Sequence, residues 1–76
     1  MKIIIIDDDR DLVLSIEDIF KSFMPDATVL SAYSGKDGIE KILLNKPDLI
    51  VLDVDLPDLS GYEVCEIIKN DIAVAN

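Results

Sequence analysis

A chain of 76 residues, half of them hydrophobic, with one cysteine, no histidine and a net charge of −9, holds one small folded domain. Sixteen acids against seven scattered bases exclude a nucleic-acid-binding face, whose affinity for phosphate comes from Lys and Arg, and favour a cation or a basic partner. The lone Cys65 excludes an internal disulfide, and the absence of His removes the usual zinc ligand sets.

In chain order, KIIII (2–6) is a β-branched run closed by three aspartates, and it predicts a strand buried on both faces. Its four isoleucines fall short of the about 7 to 15 apolar residues of a targeting segment. No stretch approaches the roughly 18 apolar residues of a membrane span, so a soluble cytoplasmic protein with no membrane contact is expected. From Asp11 onward Leu12, Ile16, Ile19, Phe20 and Phe23 recur at helical spacing, with Leu12 and Ile16 expected on the buried face. Asp9 or Asp11 serves as N-cap, and Pro25 stands just past the end.

ATVLSAYS (27–34) is the second predicted strand, and SGKDG supplies a turn and a helix start. Ile39, Ile42 and Leu43 mark the second helix, which NKP closes. DLIVLD (48–53) is the third strand, followed by the loop LPDLSG. The third helix carries Val64 and Ile68 on one face, flanked by Tyr62, Cys65 and Ile67. DIAVAN (71–76) is expected to be a weakly structured tail of a single domain spanning 1–76.

Strands this apolar need helices on both faces, so the β-α-β-α-β-α order predicts a doubly wound parallel α/β sheet. Right-handed crossovers place the strands in the order 2-1-3. Ligands of such sheets bind beyond the strand carboxyl ends where the order reverses, here between strands one and three. Asp7, Asp8 and Asp53 stand at those two ends.

Strand ends collect Asp because it starts turns and caps helices, which accounts for any one of these residues. Carboxylates converging from two strands need more: at about 4 Å two like charges cost on the order of 4 kcal/mol at an effective dielectric near 20. A hard divalent cation relieves that cost, and Mg²⁺ binds through one or two carboxylates, a phosphate oxygen and water. A carboxylate beside such a cation can attack a phosphoryl group and form an aspartyl phosphate.

The stretches IIIIDDD, AYSGKDGIEKI and KPDLIVLDVDLPDLSGYEV together resemble the receiver domain of bacterial two-component response regulators over nearly all of residues 2–70. The resemblance implies a flavodoxin-like fold with Asp53 as phosphoacceptor, Asp8 as the main direct Mg²⁺ ligand and Asp7 as a ligand through water. It implies that Asp55 offers the metal its backbone carbonyl while its carboxylate points elsewhere. Pro57 and Gly61 match the turn that follows, and Asp9 matches a commonly acidic position outside the metal shell. The implied partner is a sensor histidine kinase or a phosphotransfer protein.

A full receiver has a fourth strand ending in Ser or Thr and a fifth ending in Lys, and neither is found in this sequence. Lys36, Lys41, Lys46 and Lys69 sit in predicted helices or the exit loop of the second helix, and none replaces that lysine. The expectation is a receiver shortened to (βα)3, with weak Mg²⁺ binding and slow or absent phosphotransfer. Its exposed LIVL edge is then expected to pair with a second copy in a homodimer.

Two alternatives from other classes stand beside this reading. One is a non-catalytic fragment acting as a self-associating (βα)3 module. The other is a haloacid-dehalogenase-type phosphohydrolase, in which Asp53 attacks and Asp55 is general acid and base; the Asp-x-Asp of that family usually lies on the first strand. A calcium loop over DDDRDLVLSIED fits poorly, with Leu12 where Gly is required and Asp18 in place of the closing Glu.

Overall fold

Four consecutive isoleucines, Ile3 to Ile6, lie fully buried in the middle of a three-stranded parallel sheet, in a computed structural model that describes residues 1–71. The central strand β1 (Lys2–Ile6) pairs with β2 (Thr28–Ala32) on one side and β3 (Leu49–Leu52) on the other, so the order is 2-1-3 as expected. In register, Ile6 stands beside Ala32 of β2 and Leu52 of β3. Helices α1 (Arg10–Phe23), α2 (Gly35–Asn45) and α3 (Gly61–Asp71) alternate with the strands.

Side chains alternate across a strand, so β1 feeds two cores. Ile4 and Ile6 join Ala32, Ile42, Val64 and Ile68, and Leu30, Ile39, Ile50, Leu52, Leu56 and Leu59 pack around them. Ile3 and Ile5 point to the opposite face, where α1 lies over β1 and β2 with Val13 fully buried. Each such side chain stabilises the fold by about 1.5 to 3 kcal/mol through removal from water, which is why an uninterrupted isoleucine run suits only a strand covered on both sides.

The face of α1 differs from the one expected. Leu12, Ile19 and Phe23 are 46%, 55% and 82% exposed, and the inward line is Val13, Ile16 and Phe20. An amphipathic pattern with apolar residues on more than one stripe does not say which stripe meets the sheet, and a narrow three-stranded sheet covers only one. Leu43 of α2 is likewise exposed, and the packed side of that helix is Gly35, Gly38 and Ile42. A Cβ on Gly38 would fall 2.6 Å from Cδ1 of Ile6, so the small residue lets α2 approach β1 closely.

Caps decide the boundaries. Asp9 is the N-cap of α1, its Oδ1 accepting the Leu12 N–H at 3.1 Å, while Asp11 lies within the first turn. Strand β2 ends two residues earlier than expected, because Ser34 turns away to cap α2 and accepts the Asp37 N–H at 3.2 Å. At the other end of α2, Lys46 takes the left-handed conformation (φ 49°) and donates its N–H to the Ile42 carbonyl at 2.8 Å, just before Pro47. Ser60 and Glu63 form a reciprocal capping box at the start of α3: the Glu63 N–H donates to Ser60 Oγ at 3.1 Å and the Ser60 N–H to Glu63 Oε1 at 3.4 Å. Asp71 closes α3, and the tail expected over 71–76 otherwise lies outside the described residues.

Candidate functional site

Both edges of β1 carry their hydrogen-bond ladders one residue past the strand. The Asp7 N–H donates to the Ala32 carbonyl at 3.1 Å, and the Asp53 N–H to the Ile6 carbonyl at 3.0 Å. Parallel pairing therefore sets the main chain of Asp7 and Asp53 side by side at the carboxyl end of the sheet. Asp7 Oδ1 also accepts the Asp9 N–H at 3.0 Å, which closes the turn from β1 into α1 and fixes where the Asp8 side chain starts.

Carboxylate oxygens of Asp7, Asp8 and Asp53 converge within 4.8 Å of one another, Asp7 and Asp53 half-buried and Asp8 exposed. Residues separated by more than forty positions thus meet where the strand order reverses. The ion pair found among the described residues, Lys41 to Asp37 at 3.1 Å, lies in α2 and leaves the trio without a cationic partner. All donors are hard oxygens, with no sulfur or imidazole, and such a set suits Mg²⁺, Mn²⁺ or Ca²⁺.

Asp55 is exposed, and its carboxylate is not one of the three that converge. Its main chain instead forms an isolated antiparallel bridge with Ser60, so the segment after β3 closes on itself. The Gly61 N–H donates to the Val54 carbonyl at 2.8 Å and completes that closure.

At the rim, the Arg10 guanidinium lies over the Tyr33 ring at 4.1 Å from its centroid. This contact ties the first residue of α1 to the first residue past β2, next to the acids. The Lys41 ammonium is engaged elsewhere, donating to the Ser31 carbonyl at 2.7 Å.

The chain matches the family model described as response regulator receiver domain over residues 3–75.

It belongs to that family.

This receiver is 34% identical over 73 residues to protein PilG of Pseudomonas aeruginosa, covering 96% of the chain and 53% of PilG. It is 39% identical over 70 residues to the response regulator ArlR of Staphylococcus saprophyticus, covering 92% of the chain and 31% of ArlR. The chain therefore spans about half or less of the length of these curated relatives. The signal receiver domain of a DNA-binding response regulator from Colwellia psychrerythraea superposes with a TM-score of 0.89 at 29% identity, covering all of this chain and 62% of that one. Response regulator TrrA of Thermotoga maritima, solved in complex with Mg²⁺-BeF, superposes with a TM-score of 0.80 at 25% identity, over 92% of this chain and 60% of its own. With the flavodoxin-like fold of the receiver family in place, the haloacid-dehalogenase reading has no observation behind it.

One residue of the receiver escaped sequence reasoning. Asp58, in the loop after β3, accepts the Gly35 N–H on Oδ1 at 2.7 Å and the Lys36 N–H on Oδ2 at 2.9 Å. Its Oδ1 also accepts the Leu59 N–H at 3.0 Å. The amides of Lys36 and then Gly35 hold the Asp58 carboxyl below its ordinary 3.8, against a smaller lift from desolvation, with its own amide and that of Leu59 lowering it further. The only sequence signal was a third acid after Asp53 and Asp55, and nothing local in Pro57-Asp58-Leu59 names a helix more than twenty residues upstream.

Proposed function

We propose that this receiver accepts a phosphoryl group on Asp53, with Mg²⁺ bound by Asp7, Asp8, Asp53 and the backbone carbonyl of Asp55. The observation that carries the reading is the convergence of the Asp7, Asp8 and Asp53 carboxylates within 4.8 Å at the switch point of the sheet. The donor is the phosphohistidine of a sensor histidine kinase or of a phosphotransfer protein. Bound there, Mg²⁺ supplies charge neutralisation for the oxygens of the transferring group. Asp53 forms the new O–P bond as the P–N bond of the donor breaks, and the donor imidazole leaves with the electron pair and takes a proton from solvent.

The half-buried setting of Asp53 restricts the directions from which a donor can approach, and its ladder hydrogen bond to Ile6 keeps its main chain in place during the transfer. Asp7, turned toward its own hydrogen bond with Asp9, contributes through water, and the exposed Asp8 binds directly. Among the described residues no lysine reaches the trio, so residues 1–71 by themselves are expected to transfer slowly. The module serves as a phosphoryl acceptor in the cytoplasm and not as a turnover enzyme, and its acidity keeps it off nucleic acid and membrane surfaces. No helix among the described residues is long and apolar enough to cross a membrane.

A second copy of the chain is the further partner. Among the described residues β3 has one hydrogen-bonded neighbour, β1, and an apolar groove of about 190 Å³ between β3 and α3 is lined by Ile50, Leu52, Cys65, Ile68 and Lys69. An unpaired apolar strand edge is a template for another strand, and two copies related by a two-fold axis satisfy it together. Sedimentation that finds only monomer at high concentration removes this partner.

The deciding experiment for the acceptor role is mass spectrometry after incubation with Mg²⁺ and a small phosphodonor. A single phosphoryl mass gain in the wild type and none in Asp53→Asn is the expected result. A gain that survives Asp53→Asn rejects the assignment.

A further inference from the structure

The loop that leads away from Asp53 is held at its base by main-chain bonds and at its tip by one side chain. Its base is closed by the bridge of Asp55 with Ser60 and by the hydrogen bond from the Gly61 N–H to the Val54 carbonyl. Its tip, Pro57 to Leu59, reaches across to α2, where three early amides need acceptors. Ser34 Oγ takes the Asp37 N–H, and the two amides ahead of it, Gly35 and Lys36, are taken by Asp58. Of these three amides at the N-terminus of α2, one is thus capped from its own strand connection and two from the loop of the proposed acceptor.

Packing supports the same junction independently of the hydrogen bonds. Gly35 is buried against Leu59, and a Cβ added there would lie 2.9 Å from Leu59 Cβ and 3.2 Å from Asp58 Oδ1. Leu56 and Leu59, on either side of Asp58, pack on the core, so the loop backbone has little slack between its two attachments. The tip is joined to Asp55 through this short loop, whose base is closed where Asp55 pairs with Ser60.

We infer that Asp58 is a positioning residue that clamps the β3–α3 loop to the first turn of α2 and thereby sets the place of the Asp55 carbonyl beside Asp53. The inference rests on the metal and acceptor reading above for its functional consequence, while the clamp itself is readable without any metal. Asparagine at this position retains the carbonyl that serves Gly35 and Leu59 and loses the oxygen that accepts from Lys36, so it is a half-clamp. Alanine retains neither.

Backbone amide NMR of the whole chain tests this directly, with wild type, Asp58→Asn, Asp58→Ala and Gly35→Ala compared with and without Mg²⁺. The expected result without metal is a displacement of the Gly35 and Lys36 signals accompanied by displacement at Asp53 to Asp55, graded from wild type through Asn to Ala. Gly35→Ala, which pushes on Leu59 from the α2 side, is expected to move the Asp53 to Asp55 signals as well. With metal, the apparent Mg²⁺ affinity from the same titrations is expected to fall about tenfold in Asp58→Ala, the usual scale for losing a group that orients a ligand, and by less in Asp58→Asn.

Asp53 to Asp55 signals unchanged in folded Asp58→Ala overturn the inference. Should Asp58→Ala fail to fold, the Asp58→Asn and Gly35→Ala spectra decide by the same criterion. A wild type that ignores Mg²⁺ overturns the metal reading alone, since the metal-free spectra still report the clamp.

Discussion

A Cβ added to Gly61 would collide with the carbonyl oxygen of Asp53, so the start of α3 approaches that carbonyl as only glycine allows. The first residue of α3 is therefore fitted to the main chain of the proposed acceptor, with Val54 Cα of the same peptide 3.1 Å from that Cβ position. Gly61→Ala has to move backbone, because neither neighbour is the end of a flexible side chain. It is expected to lower stability by about 1 to 3 kcal/mol, the usual cost of overpacking, in urea denaturation. It should also displace the Asp53 amide signal, and a variant of wild-type stability would show that α3 can retreat freely.

Gly38 makes the corresponding contact between α2 and the buried Ile6. Alanine normally improves a helix interior by about 0.5 to 1 kcal/mol over glycine, yet here its methyl group meets Ile6 Cδ1 at 2.6 Å, with Cγ1 and Cγ2 at 3.0 and 3.1 Å. Gly38→Ala is expected to destabilise. Combining it with Ile6→Val, which removes the Cδ1 atom, should recover part of the loss. Additive effects in the double variant, measured by chemical denaturation, would mean that the two residues do not compete for the same space.

The trio of acids should also register in stability. Without a cation, Asp8→Asn relieves like-charge repulsion and is expected to stabilise the chain by about 1 kcal/mol, the Coulomb energy of two charges at 4 Å in water. With Mg²⁺ the ranking reverses, because the wild type gains a ligand and the variant loses one. Thermal melts of both chains over a Mg²⁺ titration give the answer: parallel curves that never cross would reject a shared cation site.

Acid should undo the Asp58 clamp in a definite direction. The folded chain holds this carboxyl below its ordinary 3.8, so the unfolded chain binds the proton more readily. Its contribution is complete above 3.8 and is lost as the pH falls through the lower folded value. Stability curves for wild type and Asp58→Asn should therefore converge as the pH drops below 3.8 and stay apart above it. A gap between them that holds constant down to acid unfolding would remove the carboxylate from the clamp.

Periodicity and composition determined a great deal by themselves. Four isoleucines in a row have no solvated face, which by itself demands a strand covered on both sides and hence helices on both faces of a parallel sheet. The right-handedness of the crossovers then leaves little choice of strand order, and Asp7, Asp8 and Asp53 follow as the residues at the switch point. These features depend on local pattern and chain chirality, both present in the linear text.

Tertiary structure alone decided which stripe of α1 is inside. Leu12, Ile19 and Phe23 carry as strong a helical signal as Val13, Ile16 and Phe20, and only the narrow sheet selects between them. It alone gave Asp58 its partners, since a carboxylate on a loop can cap any helix whose first turn comes within 3 Å, and that approach is set by the packing of Gly35 on Leu59. The acids of the site were legible because strands impose their ends on neighbours in register. The clamp beside them was not, because it depends on a distance between a loop and the first turn of a helix that no residue pattern encodes.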